Sequence, residues 1–295
     1  KIVLVLMTIF SSATNFSQTT WNGSASTDWS DATNWSSGSV PTNSDDVIIP
    51  NGLVNYPILS INSNCRELDI NAGSSLDING FRISIRGSFI NDGAFESSGG
   101  TAQLRLLATT GNYVLGGFSD TDIRIIKSSS GSYTSTGNID CKSIRLNQNN
   151  IGTITIDGQT ITANDYFLVE SGKFLVSSGV FTATKNTGST SNSGFNINGG
   201  TLDVDGGVVS FGEVTTNTAD LNVNGGAIEI SGGVLNVADE LDVVNGLITQ
   251  TGGVINIRNY EGTAQGSAQS KFDMLAGTLN LTNGVINILG QHSGA

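Results

Sequence analysis

Six carboxylates recur at one kind of place in this chain. Asp69, Asp77, Asp203, Glu229, Asp242 and Asp273 each sit between two apolar residues, as in Leu241-Asp242-Val243 and Phe272-Asp273-Met274. In an extended chain the middle of such a triplet points away from its two neighbours, so all six are expected to face outward. Two carboxylates about 5–9 Å apart can perform acid–base chemistry on a glycosidic bond. Asp242 and Asp273 occupy matching places in successive repeats, which a stack of strands would set about 5 Å apart. The same alternation also solvates a wall, and Lys or Arg able to position a polyanion are nearly absent from these places. The solvated wall is the reading taken, and no catalytic residue is assigned. The only His, His292, stands past the last repeat, so any Ser–His or Cys–His pair would depend on it. No His or Cys cluster has metal-ligand spacing. Neither a metal nor a cofactor is expected, and the chain is read as a non-enzyme.

The elements that position these residues follow from a seventeen-residue pattern that returns five times. It reads FLVESGKFLVSSGVFTA from Phe167, FNINGGTLDVDGGVVSF from Phe195, LNVNGGAIEISGGVLNV from Leu221, LDVVNGLITQTGGVINI from Leu241 and FDMLAGTLNLTNGVINI from Phe272. Each unit holds three short runs of alternating hydrophobicity separated by Gly-based turns, hence three strands. A lone unit could not bury its apolar face, so each is one coil of a stack. Linkers 184–194, 212–220, 238–240 and 258–271 differ in length, so one corner tolerates insertions while the other two do not. That pattern predicts an all-β, three-faced parallel β-helix rather than an antiparallel sandwich. The crossover rule makes it right-handed. The stretches from Leu68 and Ile144 repeat the theme less regularly, giving nine or ten coils and a rod about 45 Å long at the usual strand spacing.

The third strands carry an outward column of Thr182, Ser210, Asn236, Asn256 and Asn287. Stacked amides and hydroxyls can hydrogen-bond along such a ladder. A flat polar array could also contact a glycan; the ranks are too uneven to favour ice.

Composition fits an extracellular β protein. Charged residues are 13% of the chain, Gly numbers 38, and 25 acids against 13 Lys and Arg leave a net charge of −12. A chain this acidic lacks the basic surface that phosphate neutralisation requires, so no nucleic-acid partner is expected. The apolar run 2–10 behind Lys1 is too short to span a bilayer and fits the core of a secretory signal, so residues 1–17 are assigned as a signal peptide. Cleavage falls after Ala13 or after Ser17. No other stretch is long and apolar enough for a transmembrane helix. The chain is therefore expected outside the cell or on its surface, with surface glycans or extracellular proteins as partners.

Residues 18–64 form a Trp- and Pro-rich segment ahead of a repeat domain assigned to 65–295. All of Trp21, Trp29 and Trp35 lie here, with Asp28, Asp31, Asp45 and Asp46 nearby. Exposed indoles could stack on sugar rings while Asp28, Asp31, Asp45 or Asp46 take hydroxyls. Alternatively the indoles cap the first coil, since solenoids need their ends covered. Capping is the preferred reading. A calcium site from these carboxylates fits no loop signature. The sequence W-x-G, D-W-x-x-x-x-N-W, V-P-T-x-x-D-D-V-I-I-P-x-G resembles the N-terminal segment of secreted and cell-surface β-helix-repeat proteins of the Bacteroidetes, strongest over residues 19–90. That resemblance implies a β-helical, adhesin-like surface protein, often carried by type IX secretion. In that family a C-terminal sorting domain often follows, and further C-terminal sequence is expected here.

Cys65 and Cys141 stand at the same phase ahead of Leu68 and Ile144, two or more coils apart. That separation exceeds the roughly 7 Å between Cα atoms that a disulfide allows, so two free buried thiols are expected. The last unit should leave Phe272, Met274, Leu279 and Ile286 or Ile288 partly open and associate through that end. The rival to a non-enzymatic stalk is a carbohydrate-active β-helix, of polysaccharide lyase or glycoside hydrolase type. Its catalytic part would lie in the variable loops or in further sequence.

Overall fold

The computed structural model describes residues 16–147, 151–184, 195–212, 220–238, 240–258 and 271–289. Residues 2–10, Ala13 and His292 lie outside them. Among the described residues, 26 strands join into one hydrogen-bonded arrangement whose strand pairings are parallel. The chain is an all-β parallel solenoid with three faces around one core. In the first regular coil, face A is Phe167–Val169, face B is Lys173–Val176 and face C is Val180–Ala183.

Register matches the repeat. On face A, Phe167 lies in line with Phe195, Leu221, Leu241 and Phe272. Face B aligns Phe174, Leu202, Ile228, Ile248 and Leu279. Face C aligns Phe181, Val209, Leu235, Ile255 and Ile286. Backbone groups pair between coils, so side-chain alternation alone decides what enters the core. One Phe from each face meets at the axis: the centroids of Phe167, Phe174 and Phe181 are 4.7–4.9 Å apart. Edge and tilted ring contacts at such distances add to the area they bury.

The corner between faces B and C shows why Gly recurs. Gly207, Gly233 and Gly253 have φ of 69°, 64° and 65°, the left-handed region that side chains resist. A Cβ on each would also come within 2.4–2.6 Å of a carbonyl oxygen of the coil beneath. The A–B corner behaves differently. Leu221–Ile230 and Glu240–Gln250 run through it as single strands with irregular register.

Two expectations are corrected. The parallel stack begins before residue 65: Ser17–Thr20 pairs with Asp45–Ile49, which pairs with Glu67–Ile70. The N-terminal segment therefore contributes rungs of its own. Cys65 and Cys141 are free and buried, but they are not equivalent. Cys65 aligns with Ile85 on face A, whereas Cys141 aligns with Ala163 and through it with Ala183 on face C. The long strand Ile139–Leu146 carries both a face C and a face A segment, so counting back to the nearest triplet misaligned the two. Burial pushes both thiols up, which keeps them protonated. In the last described coil Met274, Leu281 and Ile288 are 36%, 50% and 50% exposed, while Val243 and Ile257 beneath them are buried.

Two inward places among the described residues carry long polar side chains. Lys127 lies between Leu106 and Leu146 in the face A column, and Gln250 between Ile230 and Leu281 on face B. Both are fully buried. Lys127 Nζ donates to the Ser129 carbonyl, and Gln250 Nε2 donates to the carbonyls of Gly253 and Val285 at 3.2 Å each. Each side chain thus turns its polar tip toward corner carbonyls and leaves its stem in the apolar column. Burial pulls the Lys127 ammonium down to about 8. A lysine lowered in the folded state is penalised below that pH, and the penalty is relieved as pH rises toward the unfolded value near 10.5. Stability of the parent relative to Lys127→Met should therefore climb between about pH 8 and pH 10. Urea midpoints for both proteins at several pH values test this; a pH-independent difference would contradict it.

Candidate functional site

The N-terminal acids and indoles are committed to structure. Trp21 and Trp29 are fully buried and Trp35 is 2% exposed. Trp35 packs edge-on against both others, with centroids 5.0 and 4.7 Å away. Trp21 Nε1 donates to the Asn55 carbonyl and Trp35 Nε1 to the Trp29 carbonyl, both at 2.8 Å. An antiparallel bridge between Trp21 and Trp35 interrupts the parallel stacking here, and the Trp21 amide reaches the Ile48 carbonyl at 2.9 Å. No indole face is available to stack on a sugar, so the arrangement expected of a stacking site is not formed by these three residues.

The neighbouring carboxylates hold turns. Asp28 Oδ1 accepts from Ser60 Oγ at 2.7 Å and from the Ser30 amide and hydroxyl at 2.9 Å. The Ser60 hydroxyl first and the Ser30 amide next draw its carboxyl below the usual range. Asp31 caps the short helical turn Ala32–Asn34 through the Thr33 amide. Asp45 accepts from the Thr42 amide and hydroxyl at 2.8 and 2.7 Å, and Asp46 pairs with Arg66. Sequence reasoning missed Asn34, which is fully buried and ties Ala25, Ser26 and Asp28 together. Its place beside Trp35, amid short polar residues prone to side-chain turns, was the available signal.

The outward column of face C forms the ladder that its residue types suggested. Thr182, Ser210, Asn236, Asn256 and Asn287 are in register on five coils. Asn287 Nδ2 donates to Asn256 Oδ1 at 2.9 Å, Asn256 Nδ2 to Asn236 Oδ1 at 2.9 Å, and Asn236 Nδ2 to Ser210 Oγ at 3.2 Å. All three donors point the same way, so Asn236 and Asn256 each donate to one coil and accept from the next.

The six triplet acids meet more cations than expected. Lys173 on face B reaches across two coils, with Nζ 2.6 Å from Asp203 and 3.1 Å from Glu229. Burial raises the Asp203 carboxyl while Lys173 draws it back. Burial opposes the Lys173 charge, but its hydrogen bonds to the two acids outweigh that and raise it. On face A, Asp242 and Asp273 are in register on adjacent coils, and Lys271 pairs with Asp273. Burial first, then Asp220 and Asp273, raises the Asp242 carboxyl. Burial, followed by the Asp92 charge, raises Asp69, and Asp77 accepts from the Asn79 and Ser98 amides. The expectation that cations are nearly absent here is thus corrected. Lys173 meets its acids only once coils stack, whereas Lys271 stands two residues before Asp273 on the same strand. Among the described residues no group of three or more His, Cys, Asp or Glu is placed to hold a metal ion.

A family model described as a domain of unknown function (DUF8693) matches residues 20–112, which span the Trp cluster and the first coils. No curated protein matches the chain, and no solved structure does.

The ladder yields a direct test. Asn256 is the central amide, so Asn256→Ala removes a donor from one neighbour and an acceptor from the other. On a half-exposed wall this should cost on the order of 1 kcal/mol, measured as a shift of the urea midpoint at unchanged slope. Asn287→Ala breaks one ladder bond only and should cost less. Equal or negligible losses would show that the ladder does not couple coils.

Proposed function

We propose that this chain is a non-enzymatic β-helical structural protein of adhesin-like type, secreted or held at the cell surface, whose wall and loops contact glycans or other extracellular proteins. The observation that carries the reading is the use of the wall's outward polar groups. The Asn236–Asn256–Asn287 ladder and the Lys173–Asp203–Glu229 cluster run from coil to coil along the axis, which stiffens a rod. The apolar run at residues 2–10 supports export, and the resemblance of residues 19–90 to Bacteroidetes surface proteins supports a place outside the cell. Among the described residues no helix is long and apolar enough to cross a membrane.

A carbohydrate-active enzyme is the second reading, favoured by one observation. Asp203 and Glu229 lie on adjacent coils and share one ammonium, with the Asp203 carboxyl raised by burial. Such a pair could divide acid and base roles. Against it, both carboxylates are already engaged by Lys173.

Two measurements separate the readings. Antibody labelling of intact cells producing the chain from its native start should detect it at the surface or in the medium. Incubation with a panel of neutral and acidic polysaccharides should release neither reducing ends nor unsaturated uronates. Retention in the cytoplasm would overturn the localisation. Products that vanish in Glu229→Gln would establish the enzyme.

A further inference from the structure

Face A is divided by charge. Over four successive coils the strands Arg82–Ile85, Ala102–Leu106, Phe118–Lys127 and Ile139–Leu146 stack in register. Their face A segments hold Arg82, Arg105, Arg124 and Arg145 with no carboxylate among them, and Asp122, two residues ahead of Arg124, pairs with Lys142 at 3.7 Å. Farther along the same face the outward places become Asn196, Asn222, Asp242 and Asp273. In a chain with 25 acids and 13 Lys and Arg, four arginines on one wall segment stand against the overall balance.

Three of them have no ion-pair partner among the described residues. Arg145 is held by Glu170 at 2.9 Å, whereas Arg82, Arg105 and Arg124 pair with no carboxylate. Arg82 and Arg105 stand on adjacent coils. Burial and then the Arg82 charge pull the Arg105 guanidinium down. The Nε atoms of Arg82 and Arg124 are buried without a hydrogen-bond partner, as is the Ser143 hydroxyl in register with Arg124. Like charges kept together cost stability, and an anion laid across these half-buried arginines would relieve that cost.

We infer that this arginine wall binds a linear anionic glycan, its carboxylates or sulfates engaging Arg82, Arg105 and Arg124 on three successive coils. Coils repeat about every 4.8 Å, so the guanidinium groups step along the axis at close to the length of one pyranose unit. Arginine's planar fork matches carboxylate and sulfate oxygens two at a time. Arg82 and Arg124 stand in one outward column with the half-buried Gln103 between them, Arg105 stands in the column beside it, and the Gln103 amide supplies a hydrogen-bonding group for a sugar hydroxyl. Single-stranded nucleic acid needs aromatic platforms for its bases, and Tyr166, whose ring centroid lies 5.9 Å from the Arg124 guanidinium, already faces that cation. The wall extends the proposed glycan contact to a face other than the asparagine ladder. Its test uses purified protein, so failure of export leaves it untouched.

Purified chain is titrated with polygalacturonate, heparin, dextran and oligo-dT over a range of salt. Polygalacturonate or heparin should bind and dextran should not, and the tighter of the two acids identifies carboxylate or sulfate as the ligand group. The triple variant R82Q/R105Q/R124Q should bind the acidic glycan at least tenfold more weakly. It should also lose roughly two units of log–log salt dependence, at about 0.7 per neutralised charge. Lys173→Gln, on face B, should bind like the parent. If the triple variant does not fold, Arg105→Glu alone carries the same test with the same direction of change. Unchanged binding in the folded variant, no binding of either acidic glycan at low salt, or tighter binding of oligo-dT would overturn the inference.

Discussion

Every coil must lie in register on the coil beneath it, because the backbone hydrogen bonds of a parallel solenoid run between coils and not within them. A slip of one residue would turn each apolar triplet inside out. The remaining features follow from that constraint. Inward columns such as Phe167, Phe195, Leu221 and Leu241 keep apolar types so that each ring or branched chain rests on another. The B–C corner keeps Gly because the chain turns there in a left-handed conformation directly over a carbonyl of the previous coil. Asparagine suits an outward column because its amide donates to the coil beneath and accepts from the coil above at a coil's spacing.

The same constraint explains what could be read in advance. A seventeen-residue pattern that returns five times is visible as letters, so the three faces, the triplets and the ladder from Ser210 to Asn287 were legible. Features that arise between unlike residues were not. Lys127 and Gln250 occupy inward columns because a long stem with a polar tip can reach corner carbonyls, a fit that depends on the coil and not on local pattern. The strands beside the tryptophans, Ser17–Thr20 and Asp45–Ile49, fall outside the repeat domain that the sequence pattern assigns to 65–295, yet they pair in parallel with it. These rungs lack the Gly-punctuated spacing of the later units.

Charge placement was the least legible property. A net charge of −12 describes the whole chain and hides its distribution. Arg82, Arg105, Arg124 and Arg145 are separated by roughly one coil of sequence each, in the stretch where the repeat is most degenerate. Only winding brings them to one wall. Lys173 likewise meets Asp203 and Glu229 only through stacking. A solenoid thus converts sequence period into surface pattern, and a binding face is built by adjusting one residue per coil while the core stays constant.

Cysteine pairs placed in two alternative registers test the stacking most directly. Ser210→Cys with Asn236→Cys joins outward positions in line on neighbouring coils, where Cα atoms stand near the separation a disulfide accepts. Ser210→Cys with Asn256→Cys spans two coils and exceeds it. The native Cys65 and Cys141 are buried and leave the assay clear. Mild oxidation of the folded protein should close the first pair quantitatively and leave the second open. Closure of the second pair, or failure of the first in folded protein, would contradict in-register parallel stacking.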